Sequence, residues 1–547
     1  VIAITTATRI YHVRDLALPV WVDPVHHVAI VRLIVNQGAV PPTFDPFIPA
    51  GIFNYHWGFH SLVAWNAWLL GITDPFALAD LVLHLGQLLN VLTVPMFYAA
   101  GRVLFASRRA GLFTAVIVGL VSWFPAYFLS WGRYTHLAGV LLMAPMLLTL
   151  WKLRTRPQPG VLLSAILLLA GLGLMHVRVL FLSAILGSLL ALFLIFQRRW
   201  QTVLWWMLAA TIAVLLTLPW WLWLWQSTWV RMMVAVNTDT GAVWANYNLP
   251  NWGLVWAPRN SLLIALATMG ISTLSGWQEA VTLAQMMAVA WLLLLVGLGI
   301  WSWRRPMLRQ FTQRIWLGWL LLLLWVAISV LLLQLNRFGL PSMRFIHINS
   351  GIITLFAPLG LAVGGLLAWA IGLLAPPRFA RYVAGIAILS ISVWGASGMT
   401  TILNPVTILA TPADRAALIW VRDHTPTDAH FIVNSWEWLS GIYVGSDGGY
   451  WIPILTSRSS ILLPVQYAGT LPTPKVQAMN ELFRQLATTT NLDDPSIRMA
   501  LATQNVTHLY LGARQGSLRP EQIDGKPYAN LIYRKEGVSI YTLDFTR

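Results

Sequence analysis

The chain has no cysteine among its 547 residues. That excludes disulfides, thiolate-bound metals and cysteine nucleophiles, and says little about compartment. Charge is scarce too: 10% of residues are Asp, Glu, Lys or Arg, against about 25% in a soluble globular chain. Apolar residues make up 57% of the chain and the mean hydropathy is +0.67. A soluble enzyme, a disordered chain and a fibrous repeat are thereby excluded. No P-loop, no GxGxxG after a strand, no HExxH and no GxSxG occurs in a fitting context. Internal repeats, low-complexity stretches and long linkers are missing as well. Val1 opens the chain with no Met, basic n-region or cleavage site. The first apolar stretch, Val1 to Ile10, is too short to span, so part of a first span is expected to be missing or processed away.

Long apolar runs are what the chain does have. They fall near 78–101, 110–130, 136–151, 160–175, 177–196, 203–225, 282–303, 315–335, 346–374 and 382–402, and a membrane span needs roughly 20 such residues. With the partial first one they predict about eleven spans. The net charge of +16 resembles a nucleic-acid signal until its location is considered. Residues 403–547 carry 12 basic and 12 acidic residues, which leaves 23 basic and seven acidic residues for the first 402.

Fourteen of those basic residues sit in five short connections free of acids: Arg102, Arg108 and Arg109; Lys152, Arg154 and Arg156; Arg198 and Arg199; Arg304, Arg305, Arg309 and Arg314; Arg378 and Arg381. The positive-inside rule makes these connections cytoplasmic. The loops 11–75, 226–281 and 336–345, and everything after 402, then face outward, with no nucleic-acid role. Trp57 to Thr73 would reverse the alternation if it spanned, so it reads as an interfacial helix anchored by Trp57, Trp65 and Trp68. The run 261–273 reads as re-entrant or interfacial.

From Thr411 onward helix and strand alternate. Helices are expected over Ala413–Asp423, Val476–Leu486 and Pro495–Gln504. Strands are expected over Phe431–Asn434 and Val506–Leu511, with a terminal hairpin, Leu531–Tyr533 and Val538–Leu543, around Lys535-Glu536-Gly537. The expected architecture is a polytopic α-helical membrane domain, 1–402, followed by an extracytoplasmic α/β domain, 403–547, close to the membrane.

The candidates for chemistry all lie on the outer side. Trp21-Val22-Asp23-Pro24-Val25-His26-His27 puts a carboxylate at the mouth of the bundle, where it can serve as general base or bind a divalent ion, with His26 and His27 to assist. Its structural alternative is that Asp23 caps the helix starting at Pro24. Arg133, Arg178, Arg337 and Arg344 sit beside spans on the side where topology does not call for them. Arginine near bilayer depth is costly, and an anionic lipid phosphate suits guanidinium geometry. Asn434-Ser435-Trp436-Glu437-Trp438 and Ser446-Asp447-Gly448-Gly449-Tyr450-Trp451 combine aromatics, acids and glycines in candidate acceptor-binding segments. His84, Gln87 and Asn90 share one helical face and suit interhelical hydrogen bonds.

An acid in the first outer loop, a multi-span bundle, Arg344-Phe345 before a late span and an outer α/β domain resemble the GT-C-type membrane glycosyltransferases, among them oligosaccharyltransferase catalytic subunits and protein mannosyltransferases. Asp23-Pro24-Val25-His26-His27 is similar to the first-loop motif of the oligosaccharyltransferases. Ser446 to Trp451 is similar to their WWDYG acceptor-binding motif, with Ser435 to Trp438 competing for that alignment. The resemblance implies a GT-C-like bundle in the cell (inner) membrane. It implies Arg344 as the arginine that holds the phosphate of a polyprenyl-phosphate sugar; read from the residues themselves, Asp23, His26 and His27 are the expected catalytic residues, and Arg337, Arg133 and Arg178 the further expected phosphate-binding arginines. Trp436, Glu437, Asp447, Tyr450 and Trp451 would meet a protein or glycan acceptor. The family's second acidic motif, often a DxD, falls on Trp131-Gly132-Arg133-Tyr134-Thr135-His136, which has no acid. That departure puts a Mg or Mn ion in doubt. It also raises the alternative of a catalytically silent GT-C-like subunit in a larger membrane complex. A transporter fits less well, since the spans are nearly free of acids and show no paired repeats.

Overall fold

The computed structural model describes residues 1–227, 236–237, 306–333, 335, 342–343, 351, 353–376, 378–439 and 441–545. The expected spans 282–303 and the run 261–273 lie outside them, as do Arg337 and Arg344.

The membrane part is helical. Among the described residues, six helices are long and apolar enough to cross a bilayer: α4 (Pro75–Leu104), α8 (Tyr134–Leu153), α10 (Val177–Phe196), α11 (Trp200–Gln226), α13 (Phe356–Leu374) and α14 (Ala380–Met399). A shorter apolar helix, α9 (Pro159–Met175), and the segment Ile315–Ser329 of α12 (Pro306–Leu332) pack among them. Each overlaps an apolar run of the sequence. The stretch 1–10 forms most of α1 (Ile2–Val13), which packs against α4 and α14.

The run 110–130 is not one helix. It breaks into α5 (Arg108–Val116), a π-helical turn at Ile117–Val121, and the short α6 (Trp123–Ala126) and α7 (Phe128–Trp131). Carbonyls freed by a break at this depth need protein partners. Arg9 of α1 supplies one: its Nη2 donates to the Gly119 carbonyl at 2.8 Å while its Nε donates to Asn90 at 2.8 Å. Asn90 Nδ2 in turn donates to the Pro125 carbonyl at 2.7 Å. The expected interhelical role of Asn90 is met here, with a buried arginine as its partner.

Between α1 and α4 the first loop carries α2 (Asp23–Gln37) and α3 (Gly58–Leu70). The first matches the amphipathic stretch after Asp23. The second is a helix of 13 residues within 57–73, with Trp65 and Trp68 exposed on its surface. Two-residue strands β1 (Val236–Asn237) and β2 (Ser342–Met343) pair antiparallel and tie the loop after α11 to the loop after α12.

The C-terminal region is α/β. Five strands form one sheet: β3 (His430–Val433) runs parallel to both β6 (Ser459–Ser460) and β7 (His508–Leu511), and β9 (Val538–Leu543) joins β7 and β8 (Ala529–Lys535) antiparallel. Glu536 and Gly537 turn the terminal hairpin with φ of 48° and 85°, the left-handed pair that a two-residue hairpin needs. Helix α15 (Pro412–His424) starts at a capping box in which Thr411 and Asp414 exchange hydrogen bonds. A separate hairpin, β4 (Ser435–Leu439) and β5 (Ile442–Gly445), carries Trp436 and Glu437.

The two parts are bound together. Arg415 of α15 grips Asp80 of α4 with two hydrogen bonds of 2.7 Å and also donates to the Ala17 carbonyl. Arg32 of α2 donates to the Ile454 carbonyl at 2.6 Å, and Asn54 to the Gly469 carbonyl at 2.9 Å.

Candidate active site

Asp23 is the first residue of α2, not its cap. Val22 holds the cap position without a side-chain hydrogen bond. The capping alternative is therefore corrected: the Asp23 carboxylate is left for another task. It is 5% exposed and meets Arg133, whose Nε lies 3.2 Å from Oδ2. The Arg133 side chain remains about a third exposed, at 35%.

The broken span explains this pairing. α7 ends at Gly132, which has φ +62°, a conformation that favours glycine. A Cβ there would lie 2.2 Å from Pro24 Cδ. Only a residue without one lets the loop rest on the first turn of α2. Arg133 follows at once and faces Asp23. Arg178, at the start of α10, also acts electrostatically on Asp23. Burial pushes the Asp23 carboxyl above its ordinary range, while Arg133 and then Arg178 pull it back. Both guanidiniums bear on this one carboxylate, and guanidinium geometry suits a phosphate.

A set of imidazoles gathers around α2 and α3. Spacings of three and four residues put His26 and His27 on the face of α2 that carries Asp23. His27 Nδ1 is 2.9 Å from His60 Nε2 of α3. Tyr55 packs edge-on against His26, and His56 against His176, which in turn contacts His136. His136 Nε2 bonds the Thr354 hydroxyl at 2.9 Å. Six of the chain's twelve histidines thus converge. Burial first, then neighbouring imidazoles and guanidiniums, holds His26, His27 and His56 well below their ordinary range. Burial takes His60 down to about 3 and Tyr55 up to about 12. The sequence reading found His26 and His27 through their adjacency to Asp23. It missed His56, His60, His136 and His176, which lie on separate segments of the chain that no local spacing joins.

Among the described residues no group of three His, Asp or Glu side chains is arranged to hold a metal ion. The carboxylate that would lead such a set faces a guanidinium instead. The Mg or Mn ion weighed from the sequence does not fit these residues.

The acceptor candidates separate. Trp436 meets Trp21, two residues before Asp23, with ring centroids 5.5 Å apart. Tyr450 is buried, and its hydroxyl is pushed well above its ordinary range by burial, by Tyr467 and in part by the Asp23 charge. This region therefore reaches the Asp23 site. Glu437 is exposed and accepts the Gly441 N–H at 2.7 Å. Trp451 and Asp447 are fully buried. Asp447 accepts the Gly449 and Gly512 N–H groups, each at 2.9 Å. These bonds make it a support for the turn that carries Tyr450, with no surface left to touch an acceptor.

Neither a scan against models of protein families nor a search of curated protein sequences finds a match. Solved structures do match. The archaeal oligosaccharyltransferase AglB from Archaeoglobus fulgidus, solved with an inhibitory peptide and a dolichol-phosphate, superposes with a TM-score of 0.53 at 13% identity, over 93% of this chain and 68% of that one. The arabinofuranosyltransferase AftD from Mycobacteria gives 0.55 at 15% identity, over 99% of this chain but only 39% of its own. ArnT from Cupriavidus metallidurans, bound to undecaprenyl phosphate, gives 0.50 at 13% identity, over 99% and 96%. At such identities the likeness concerns architecture: this chain has the polytopic GT-C fold, with a C-terminal α/β region, that these membrane glycosyltransferases share.

Proposed function

We propose that the chain is a membrane glycosyltransferase that moves a sugar from a polyprenyl-phosphate donor to a protein or glycan acceptor on the extracytoplasmic side of the cell membrane. One observation carries the reading. The buried carboxylate of Asp23 faces Arg133, lies in the field of Arg178, and its charge reaches the buried Tyr450 hydroxyl of the α/β region. Asp23 takes the acceptor hydroxyl proton as the acceptor oxygen bonds the sugar carbon. The bond from that carbon to phosphate breaks, and Arg133 and Arg178 stabilise the charge gathering on the leaving lipid phosphate. Arg337 and Arg344, in the outer loop after α12, are proposed to complete the phosphate site. An apolar groove of about 420 Å³ among α8 to α11, lined by Met146, Leu169, Leu180, Trp206 and Trp221, is suited to an isoprenoid chain. No step requires a metal.

The test is Asp23→Asn in the full chain, assayed in native membranes with labelled lipid-linked sugars. The expected loss is about 10²–10⁴-fold with expression unchanged. A folded Asp23→Asn protein that transfers sugar at the wild-type rate removes Asp23 from the mechanism.

A second reading is a catalytically silent subunit of a larger membrane complex. It is favoured by Arg133, which stands in the loop where the resembled family carries its second acidic motif. Purification of stoichiometric partners, together with failure to bind any lipid phosphate, would select it.

A further inference from the structure

Six buried polar atoms gathered around α2 and α3 have no hydrogen-bond partner among the described residues: Nδ1 and Nε2 of His26, Nε2 of His56, Nδ1 of His60, Oη of Tyr134 and Nδ1 of His176. Their side chains come from four stretches of the chain yet form one set. Ring centroids lie 5.1 Å apart for His26 and Tyr55, 4.1 Å for Tyr55 and His56, 5.7 Å for Tyr55 and His60, and 4.8 Å for His56 and His176. Tyr134 lies 6.0 Å from His27, whose ring is 4.3 Å from His26. An unpaired buried polar atom costs free energy, and a native structure keeps one for a reason. Leucine and phenylalanine would fill the same space without that cost.

What these atoms can bond narrows the ligand. A neutral imidazole offers one donor and one acceptor, and a phenol hydroxyl offers both. Burial keeps His26, His56 and His60 neutral. His60 Nε2 already shares a proton with His27 Nδ1 at 2.9 Å, so its Nδ1 is whichever role that bond leaves over. A phosphate or carboxylate only accepts, and would leave the acceptor nitrogens unpaired. An ammonium only donates, and would leave the donors unpaired. Among the described residues no three His, Asp or Glu side chains are arranged for a metal. A hydroxyl both donates and accepts, and a sugar carries several of them on one rigid ring.

Position agrees with chemistry. His26 stands one helical turn after Asp23 on the same face of α2. Arg133 acts electrostatically on His26 and His27, and Arg178 on His56. In a lipid-phosphate sugar the ring is bonded to the phosphate itself, so a phosphate held by these arginines brings the hydroxyls to the same neighbourhood. The set is not sealed: Tyr55 and His56 are half-buried on the loop before α3, and Arg133 is about a third exposed, at 35%.

Resting on the functional reading above, we propose that His26, His56, His60 and Tyr134 form the subsite for the donor's sugar and hydrogen-bond its hydroxyls. They are binding residues that select a polyhydroxylated ring, while the phosphate is left to the arginines. His26 acts here by holding the sugar and moves no proton.

The experiment uses the full chain in detergent and measures by calorimetry its affinity for two kinds of lipid of equal charge. One is undecaprenyl phosphate esterified with glucose, galactose, mannose or arabinose. The other is undecaprenyl methyl phosphate, which keeps the diester and lacks the sugar. At least one sugar lipid should bind about 10-fold or more tightly than the methyl diester. His26→Phe and Tyr134→Phe, which remove polar atoms at similar shape, should each weaken that sugar lipid about 10-fold and leave the methyl diester unchanged. His26→Gln, which restores a donor and an acceptor, should recover part of the loss. A merely structural role would move both lipids together. No sugar lipid bound more tightly than the methyl diester, or a loss shared equally by both lipids or absent from both Phe variants, overturns the inference and leaves the functional reading intact. No binding of either kind removes the functional reading, and the inference with it.

Discussion

At the scale of the residue, Asp23 is the clearest case of chemistry visible in the sequence. An acid followed by Pro, with two histidines three and four positions on, stood out in an otherwise acid-poor membrane segment. Its partner was less visible. Arg133 was noticed as an arginine on the wrong side of the membrane for topology, but nothing in the sequence joined it to Asp23. The contact depends on a break in a span that an averaged hydropathy reads as continuous.

The environment of Asp23 predicts a pH effect on activity. Burial raises its carboxyl, and the protonated acid is no base. Transfer should therefore rise with pH through an elevated apparent value, with the rise lost in Asp23→Asn. A stopped-time assay across pH 4 to 8 measures it.

Asp447 predicts an effect on stability instead. Burial, then Asp414, raises it from 3.8 to about 7. The folded form holds its proton more tightly than the unfolded form. Its contribution is present below the unfolded value and is lost as pH rises through about 7. The α/β region should melt progressively lower between those limits, and Asp447→Asn should flatten the slope in thermal unfolding followed by near-ultraviolet circular dichroism.

At the scale of the element, Gly132 is the hinge of the account. Its positive φ and its contact with Pro24 set where Arg133 falls. Gly132→Ala should displace that loop and lower transfer by at least 10-fold, because a misplacement near 1 Å can cost as much as 10²-fold. The helices should be retained, as far-ultraviolet circular dichroism will report. A variant that keeps full activity would mean the loop does not position Arg133.

The helices themselves were legible because a span leaves a long apolar run. The terminal hairpin was legible because Glu536-Gly537 can take the left-handed turn. The break at 117–126 was not, since its stabilising partners come from far away. Arg9 is 110 positions from Gly119 and Asn90 is 35 from Pro125, and no local pattern announces that they satisfy those carbonyls. The capping box of α15, by contrast, is local. Thr411→Ala should cost the α/β region about 1 kcal/mol, with little effect on transfer, as measured by thermal unfolding and the same transfer assay.

At the scale of the whole molecule, the α/β region sits on the mouth of the bundle through charged and carbonyl contacts. Its composition changes sharply after residue 402, so its existence was legible. Its seating was not, because Arg415 and Asp80 are 335 positions apart. Arg415→Ala removes a paired grip on Asp80 and the Ala17 carbonyl together. It should increase protease cleavage between the two parts and raise the apparent KM for acceptor more than it lowers kcat, since Tyr450 and Trp436 reach the Asp23 site only while the region is docked.

Asp23 and its arginines are proposed to form a lipid-phosphate site. The most direct measurement is a cryo-electron microscopy map of the full chain with undecaprenyl phosphate. Phosphate density is expected within hydrogen-bond reach of Arg133 or Arg178, with the chain running into the bilayer and the Asp23 carboxylate facing the phosphate. Lipid phosphate bound elsewhere, with Asp23 and Arg133 sealed by packed side chains, would contradict it.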